Sequence, residues 1–405
     1  MNQTLWKDLS KLKYSMAKQI QIGQVDFDTA EEHAVLDVLR SGWIVQGPQV
    51  KNFEQKFGSF IGSRYCTAVS SCSTGLQTCL WALRVKPGDE ILVPAYSWVA
   101  TAHVVELCGA KPVFCDINLS TFNIDPEELS KRITKKTVGI IPVHLFGLCA
   151  DMNRIMHFAE SEGLWVLEDA ACGLGASCNG AQAGTFGRAA CFSFHPRKSI
   201  TTGEGGMIST DDEMTDRLAK RMRSHGMIPP SEQTNMSPHV IGDCDEPGQN
   251  YRMTDIQAAI GQVQLEKFPD MRSRRIKVAK NYARLLSGCD WLILPSSPDG
   301  FEHAYQAYVI LLNRDSFSGK SFDELHERRN RCLEFLHTKG VQCRPGTQGL
   351  PLLSYYKNKY SLSQSSYSNS AYADRCSIAL PMHSRLSVED IEYVSQVIHE
   401  EFELE

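Results

Sequence analysis

The sequence predicts an α/β protein with a large domain, built on a mostly parallel, doubly wound sheet, and a smaller C-terminal α/β domain. Between residues 65 and 210, short apolar runs alternate with helix-like patterns, which is typical of parallel strands joined by helices. The apolar runs are nearly continuous, which indicates strands that helices cover on both faces. From about residue 265 the chain becomes helix-rich and charged, and this change marks the smaller domain.

The chain divides into an N-terminal extension (1–24), a large domain (25–264) and a small domain (265–405). Two amphipathic helices are predicted near the start of the large domain, over 31–40 and 49–61. The extension carries lysines among scattered apolar residues, without the continuous apolar run of a signal peptide.

Composition excludes several classes of function. The 405 residues are 42% hydrophobic and 22% charged with a net charge of -5, which excludes a disordered chain and argues against a nucleic-acid partner. No stretch approaches the length of a transmembrane helix, so no membrane partner is expected. The 14 cysteines lack zinc-type spacing and lie in predicted strands and helices, as small buried hydrophobes do in a reducing compartment. We therefore expect a cytoplasmic protein without a metal site.

A strand and a turn of small polar residues occupy 68–75 and lead into the next helix. A helix N-terminus with free N–H groups and hydroxyls readily binds phosphate, and the candidate residues here are Cys72 and Ser73. A simple helix cap is the alternative interpretation.

The remaining elements follow from apolar runs and helical spacing. Strands are predicted over 90–93, 111–116, 138–144, 164–169, 189–192 and 207–210. The small domain should contain a strand at 302–312, a helix at 321–339, a strand at 340–344 and a final helix at 387–402. Arg328, Arg329 and Arg331 are predicted on a solvated helix face, and the serine-rich stretch 361–370 is predicted to be a mobile loop.

Lys198 lies between two predicted strands, just before the bend Thr-Thr-Gly-Glu-Gly-Gly. Partial burial lowers the preference of a lysine for its ammonium form and makes it a usable nucleophile toward carbonyls. The glycines allow backbone or a bulky cofactor to approach closely. An isolated loop lysine is usually solvated, so the assignment needs a second signal.

That second signal is Asp169, at the end of an apolar strand, where open α/β sheets place their ligand chemistry. An aspartate there can pair with a protonated pyridine nitrogen and keep a pyridoxal ring electron-deficient, although a helix cap is the alternative role. Asp169 and Lys198 in this order favour pyridoxal 5'-phosphate (PLP) as the cofactor, with both residues catalytic. His144, at another strand end, is predicted to be either a supporting hydrogen-bond partner or a structural residue.

Five motifs, two of them containing Asp169 and Lys198, occur in order at 41–48 (SGWIVQGP), 88–98 (GDEILVPAYSW), 166–171 (VLEDAA), 193–206 (SFHPRKSITTGEGG) and 248–255 (GQNYRMTD). Together they resemble the DegT/DnrJ/EryC1/StrS family of PLP-dependent nucleotide-sugar aminotransferases, within the aspartate aminotransferase fold type I. The resemblance covers nearly the whole chain.

The resemblance implies a set of cofactor-binding residues. Trp98 would stack on the pyridine ring, and Ser73 and Ser193 would bind the phosphate. Cys172 stands where the family usually has Gln or His near the ring oxygen, and a thiol is only a weak hydrogen-bonding group. Asn250 would reach the cofactor phosphate of a neighbouring subunit, which implies a homodimer with shared active sites.

The implied activity moves an amino group, by family analogy from glutamate, to a keto group on a nucleotide-linked sugar. The loop 201–206 resembles members that act at C4 of 4-keto-6-deoxyhexoses; a 3-keto sugar or a cyclitol ketone is the alternative. Lys198, where the family's dehydratases have His, argues for transamination. A non-transaminating PLP enzyme and a PLP-binding regulator remain rivals. Arg197 is predicted to face either solvent or a substrate phosphate, and 344–351 departs from the commoner family pattern, which predicts an unusual sugar.

Overall fold

The computed structural model describes residues 19–228 and 242–403, and strands alternate with helices through the large domain. The strands are β1 (Tyr65–Val69), β2 (Glu90–Pro94), β3 (Tyr96–Ser97), β4 (Lys111–Cys115), β5 (Thr137–Ile140), β6 (Trp165–Asp169), β7 (Ser177–Cys178), β8 (Ala181–Gln182), β9 (Ala189–Ser193), β10 (Gly206–Thr210), β11 (Leu292–Ile293), β12 (Phe301–Glu302), β13 (Tyr308–Leu312), β14 (Gln348–Gly349) and β15 (Ser377–Leu380). The helices are α1 (Thr29–Ser41), α2 (Pro48–Ile61), α3 (Cys72–Ala82), α4 (Ala100–Leu107), α5 (Pro126–Arg132), α6 (Met152–Glu162), α7 (Glu213–Met222), α8 (Asp255–Leu286), α9 (Phe322–Thr338), α10 (Ser354–Tyr360), α11 (Ser368–Cys376) and α12 (Val388–Glu403).

A seven-stranded sheet in the order β1–β10–β9–β6–β5–β2–β4 forms the centre of the large domain. Strand β10 pairs antiparallel with β1 and β9, whereas β9–β6, β6–β5, β5–β2 and β2–β4 are parallel pairs. The predicted mostly parallel sheet is therefore confirmed. Because β1, β9, β6, β5 and β2 run in one direction, their carboxyl ends meet at the same edge of the sheet, and loops from that edge form the site.

Helices cover the sheet on both faces, which explains why its strands are continuously apolar. On one face, Phe57 of α2 packs against Phe192 of β9, and Phe53 of α2 packs against Phe194 just after β9. On the other face, Leu76 of α3 and Val105 of α4 pack in the same cluster as the buried residues of β2. Burying each such side chain contributes about 1.5–3 kcal/mol. These apolar layers hold the ends of β6 and β9 in place.

The small domain is built on the three-stranded antiparallel sheet β11–β13–β15. Its core includes Ile391, Val394 and Ile398, which recur at helical spacing along α12. The 32-residue helix α8 links the two cores, since its first half packs on α2 and its second half on α12. The α/β class of both parts is confirmed. The predicted boundary at 264/265 lies within α8, and the domain boundaries themselves remain predictions.

Two predictions for the small domain are wrong. Arg328 and Arg329 are only 1% and 3% exposed, not solvated. Arg328 pairs with Glu401 of α12, and Arg329 donates to the Ser377 carbonyl at 3.0 Å, so both arginines join elements within the core. A charged helix face thus turns inward because carboxylate and carbonyl partners meet it there.

The serine-rich stretch 361–370 is not a loop throughout. Residues Gln364–Tyr367 form a 3-10 helix, α11 begins at Ser368, and Tyr367 is buried. Asp116 stabilises the start of α11, because its carboxylate accepts hydrogen bonds from the Asn369 and Ser370 amides at 3.0 and 2.8 Å. The carboxylate comes from a segment about 250 residues away in sequence, so local composition cannot reveal it.

Other predicted elements are shorter than expected. The predicted strand 302–312 is interrupted between β12 and β13, and 340–344 forms only isolated bridges, at Val341 and Arg344. Most of the predicted extension, 1–18, lies outside the described residues. Beyond it, Ile20 is 3% exposed and its amide donates to the Gly340 carbonyl at 2.9 Å. In the described ranges, none of the helices has the length and apolarity that crossing a bilayer requires.

Candidate active site

A cleft of about 420 Å³ opens at the carboxyl edge of the central sheet. Its walls come from the turn between β1 and α3, from β3, and from the ends of β6 and β9. The small domain closes one side with residues 344–348, because β14 pairs with β3. The Tyr96 hydroxyl lies behind this junction, accepting from the Thr347 amide at 3.0 Å and bonding the Ser377 hydroxyl at 2.9 Å. Both domains therefore shape the cleft.

Lys198 lines the cleft, as the sequence predicts. Its Nζ donates to Sγ of Cys172 at 3.2 Å. Burial lowers the pKa of Lys198, but the nearby Cys172 sulfur and the Asp169 carboxylate outweigh this effect, and the pKa is raised overall. The prediction that burial lowers the pKa of Lys198 is therefore wrong, because the neighbouring polar groups favour the ammonium form.

Asp169 lies at the end of β6, lines the same cleft and is 5% exposed. Its Oδ2 accepts from the Thr101 hydroxyl at 2.7 Å, and its Oδ1 accepts from the Ala171 amide at 3.1 Å. These two bonds fix the orientation of the carboxylate. Sequence reasoning missed Thr101, which is an ordinary polar residue in the first turn of α4; only tertiary structure brings it to Asp169.

The turn before α3 provides a candidate phosphate site. Ser71 caps the helix, because its hydroxyl accepts from the Thr74 amide at 3.1 Å and its own amide donates to the Thr74 hydroxyl at 3.0 Å. Ser73, in the first turn, is exposed to the cleft, and Ser193 lines it from the end of β9. A Cβ at Gly206 would lie 2.5 Å from the Ser71 carbonyl carbon, so glycine allows β10 to approach this turn.

Cys72 lines the cleft but is 8% exposed. Its Sγ contacts the Cys191 carbonyl at 3.4 Å, and burial raises its pKa well above the ordinary value. The side chain is therefore a neutral thiol, and Cys72 can offer a phosphate only its backbone amide.

Two predicted residues lie in contrasting places. Trp98 lines the cleft and is 59% exposed, so one face of the indole is free for a planar ligand. Asn250 is exposed, bridges to Ser224, and is not among the described residues that line the cleft. The structure thus brings together Lys198, Asp169, Cys72, Ser73, Trp98, Cys172 and Ser193, but not Asn250.

A buried pair supports the floor of the cleft. His144 and Glu168 are both fully buried, and His144 Nε2 lies 2.8 Å from Glu168 Oε2. His144 Nδ1 accepts from the Ala150 amide, so Nε2 carries the proton that it donates to Glu168. The His144 amide also donates to the Asp169 carbonyl at 3.1 Å. His144 is therefore a structural residue behind the cleft.

The donor set fits PLP, a flat ring with a phosphate at one end. The capped helix start and two serine hydroxyls suit the phosphate, the free face of Trp98 suits the ring, and Asp169 suits a protonated ring nitrogen. The amine of Lys198 is available to the aldehyde. A family model for the DegT/DnrJ/EryC1/StrS aminotransferase family matches residues 25–399.

The chain belongs to this family. The predicted family, the predicted enzyme class of PLP-dependent aminotransferases and PLP as the cofactor are thereby confirmed. The roles of the individual site residues remain predictions, supported by their shared cleft.

Relatives of known structure and description agree with this membership. The spore coat polysaccharide biosynthesis protein SpsC of Bacillus subtilis is 31% identical over 374 residues, covering 91% of this chain and 94% of SpsC. The structure of Helicobacter pylori PseC, an aminotransferase involved in the biosynthesis of pseudoaminic acid, matches with a TM-score of 0.87 at 26% identity, covering 96% of this chain and 100% of PseC. A GDP-4-keto-6-deoxymannose-3-dehydratase, solved with a trapped PLP–glutamate adduct, matches with a TM-score of 0.84 at 28% identity, covering 94% and 100%.

Proposed function

We propose that this aminotransferase transfers an amino group from glutamate to a keto group of a nucleotide-linked sugar, at C4 of a 4-keto-6-deoxyhexose. One observation carries the proposal: Lys198 and the fixed carboxylate of Asp169 line a single cleft between the two domains. That the substrate is a sugar is supported by family membership and by the descriptions of PseC and SpsC.

Asp169 and Lys198 have different roles in the proposed reaction. When bound, PLP supplies an electron-accepting ring beside the reacting carbon. Asp169 would stabilise a positive charge at the ring nitrogen, and Thr101 keeps its carboxylate in place. Lys198 would hold the cofactor and, as a free amine, would be the base that takes or gives the proton at the substrate carbon that loses or gains the amino group.

The regiochemistry rests on one loop. Thr201 and Thr202 are buried, and their hydroxyls bond the Phe194 and Glu204 carbonyls at 2.8 and 2.6 Å. These bonds fix the conformation of the loop, and Glu204 of the loop lines the cleft. Its resemblance to members that act at C4 supports that position over a 3-keto sugar or a cyclitol ketone.

We further propose a homodimer with shared sites. Trp43, Ile44 and Val45 are 56%, 48% and 60% exposed and lie in one segment. Asp255 holds the end of this segment, because its carboxylate accepts from the Gly47 and Val50 amides at 2.8 and 3.0 Å. A rigidly held apolar surface of this kind suits a protein partner. The exposed Asn250, away from the cleft of its own chain, is free to enter that of a second copy.

One rival has specific support, since the structure of a dehydratase matches 94% of this chain. The amine of Lys198 favours transamination, because it provides both the covalent attachment and the mobile base.

The deciding experiment adds glutamate to the purified PLP-loaded protein and follows the cofactor's absorbance. We expect the visible band to move to the near-ultraviolet as the amino group arrives, and a keto-sugar nucleotide to reverse the change. An unmoved band with glutamate would rule out glutamate as the donor, and no reversal by any keto-sugar nucleotide would rule out the sugar acceptor.

A further inference from the structure

Two arginines line the mouth of the cleft without carboxylate partners. Arg197 follows β9 on the large domain, and Arg344 lies in the small-domain segment that closes the cleft. Among the described residues, neither guanidinium group makes a salt bridge or a side-chain hydrogen bond, and Nε of Arg344 is buried without a partner. Leaving a buried guanidinium nitrogen without an acceptor is costly, so Arg344 can gain from an acceptor that a ligand brings into the cleft.

Both arginines are attached to fixed backbone. The Arg197 carbonyl accepts from Nε2 of the buried Gln306 at 2.6 Å. The Arg344 backbone exchanges two hydrogen bonds with Ala379 of β15, with donor–acceptor distances of 3.3 and 2.7 Å. The backbone of each arginine is thus fixed, one in each domain, while both side chains line the cleft.

The charge around the mouth favours an anion. Asp169 and Glu204 are the acidic residues among those that line the described cleft, and Asp169 is committed to Thr101. Arg197 lies close enough to Arg344 to disfavour its charged form, in addition to the effect of burial, so the pKa of Arg344 is lowered. An anion bound between two unpaired cations offsets their mutual repulsion and accepts hydrogen bonds from both.

We propose that Arg197 and Arg344 form an anion-binding subsite that holds a phosphate or carboxylate group of the substrate at the mouth of the cleft. This inference rests on the proposed function, which supplies two such anions: the diphosphate of a nucleotide-linked sugar and the carboxylate groups of the amino donor. The planar guanidinium groups can each donate two hydrogen bonds to either anion. Binding at the mouth fixes the substrate in register with Lys198.

The test measures binding of two probes to the PLP-loaded protein by calorimetry, because bound PLP occupies the phosphate site at α3. Inorganic pyrophosphate represents the diphosphate, and glutarate represents a donor without its amino group. We expect Arg197→Gln and Arg344→Gln each to weaken binding of one probe about tenfold, as loss of a charged hydrogen bond predicts. The probe whose binding is weakened identifies which anion the subsite holds.

Two controls separate this effect from misfolding and from general loss of charge. Arg314→Gln removes an exposed arginine of the small domain that does not line the cleft and should bind both probes like the wild type. Because Arg197 is exposed, Arg197→Gln should fold normally and keeps the test valid if Arg344→Gln unfolds. Arg344→Lys retains the positive charge but loses the planar guanidinium group, so it should bind the probe with an affinity between those of the wild type and Arg344→Gln.

Wild-type affinity for both probes in both Gln variants would overturn the subsite, as would a wild-type protein that binds neither probe. The proposed function is judged separately, by whether glutamate changes the absorbance of the wild-type cofactor. A wild-type band that glutamate leaves unmoved would refute the donor assignment, while the probe affinities would still decide the subsite.

Discussion

The hydroxyl of Thr101 donates to Oδ2 of Asp169 at 2.7 Å, joining the first turn of α4 to the end of β6 beneath the cleft. Thr101 is fully buried, and its hydroxyl also bonds Ser97 Oγ at 3.1 Å. Asp169 thus depends on a residue 68 positions earlier for its orientation. This makes Thr101 a positioning residue for the cofactor.

Thr101→Val should lower kcat about tenfold, because removing a hydrogen bond to a buried charged group costs about 1.5–3 kcal/mol. The change should also shift the pH dependence of the bound cofactor's absorbance, which a purely structural residue would leave unchanged. Thr101→Ser restores the hydroxyl and should recover both properties. An unaltered pH profile in Thr101→Val would contradict the assigned role.

Lys198→Ala should reduce turnover about a thousandfold, because it removes both the covalent attachment and the mobile base. PLP should still bind, since the helix start, the serines and Asp169 remain. Borohydride treatment followed by mass spectrometry should attach the cofactor to the wild type but not to the variant. Near-normal turnover in Lys198→Ala would show that another residue moves the proton.

Cys172→Ala should lower the pKa of Lys198, because the Cys172 sulfur is the largest influence that raises it. Attachment of PLP needs the neutral amine, so the apoprotein should take up PLP faster near neutral pH in the variant. The pH dependence of the uptake rate measures this. Cys172→Ser, which keeps a polar atom near Nζ, is the matched control, and identical profiles for Cys172→Ala and the wild type would contradict the prediction.

Val45→Glu should separate the proposed dimer into monomers at protein concentrations where the wild type is dimeric. Val45 is 60% exposed, so the substitution disturbs no core contact, and a buried unpaired charge at an interface is costly. Sedimentation measures the outcome. Met214→Glu alters an equally exposed apolar residue on α7 and should leave the oligomeric state unchanged.

Acid should destabilise the fold through two buried histidines. Burial lowers the pKa of His303 to about 3 and that of His383 to about 4, whereas the unfolded chain protonates both near 6.5. The unfolded state therefore binds more protons below pH 6.5, and stability falls as pH decreases from there toward 4 and 3. At pH 5, the lowered pKa of each histidine should reduce the free energy of unfolding by about 2 kcal/mol.

Urea unfolding at pH 7 and pH 5 measures this loss of stability. His303→Gln and His383→Gln should each shrink the difference between the two pH values, even if either change weakens packing at both. Unchanged differences in both variants would show that carboxyl groups control the acid response.

Much of the site was predictable because its residues lie at strand ends. Asp169 and Ser193 end β6 and β9, and Lys198 follows β9. Because the sequence predicts a mostly parallel sheet, their meeting at one edge follows from the fold class. Thr101 and Arg344 were not predictable in this way. Each comes from another part of the fold, and a threonine or an arginine in the sequence does not indicate which group it will contact.

Local sequence pattern determined the α/β class, the parallel sheet, the Lys–Asp pair and the family, because hydrophobic periodicity and short motifs act over a few residues. Only the tertiary structure decided the burial of Arg328 and Arg329, the start of α11 at Ser368 and the direction of the pKa shift of Lys198. These depend on groups such as Glu401, Asp116 and Cys172, which approach from distant segments. Burial and the charge of neighbouring groups depend on which residues are close in space, and the separation of residues along the sequence does not give this.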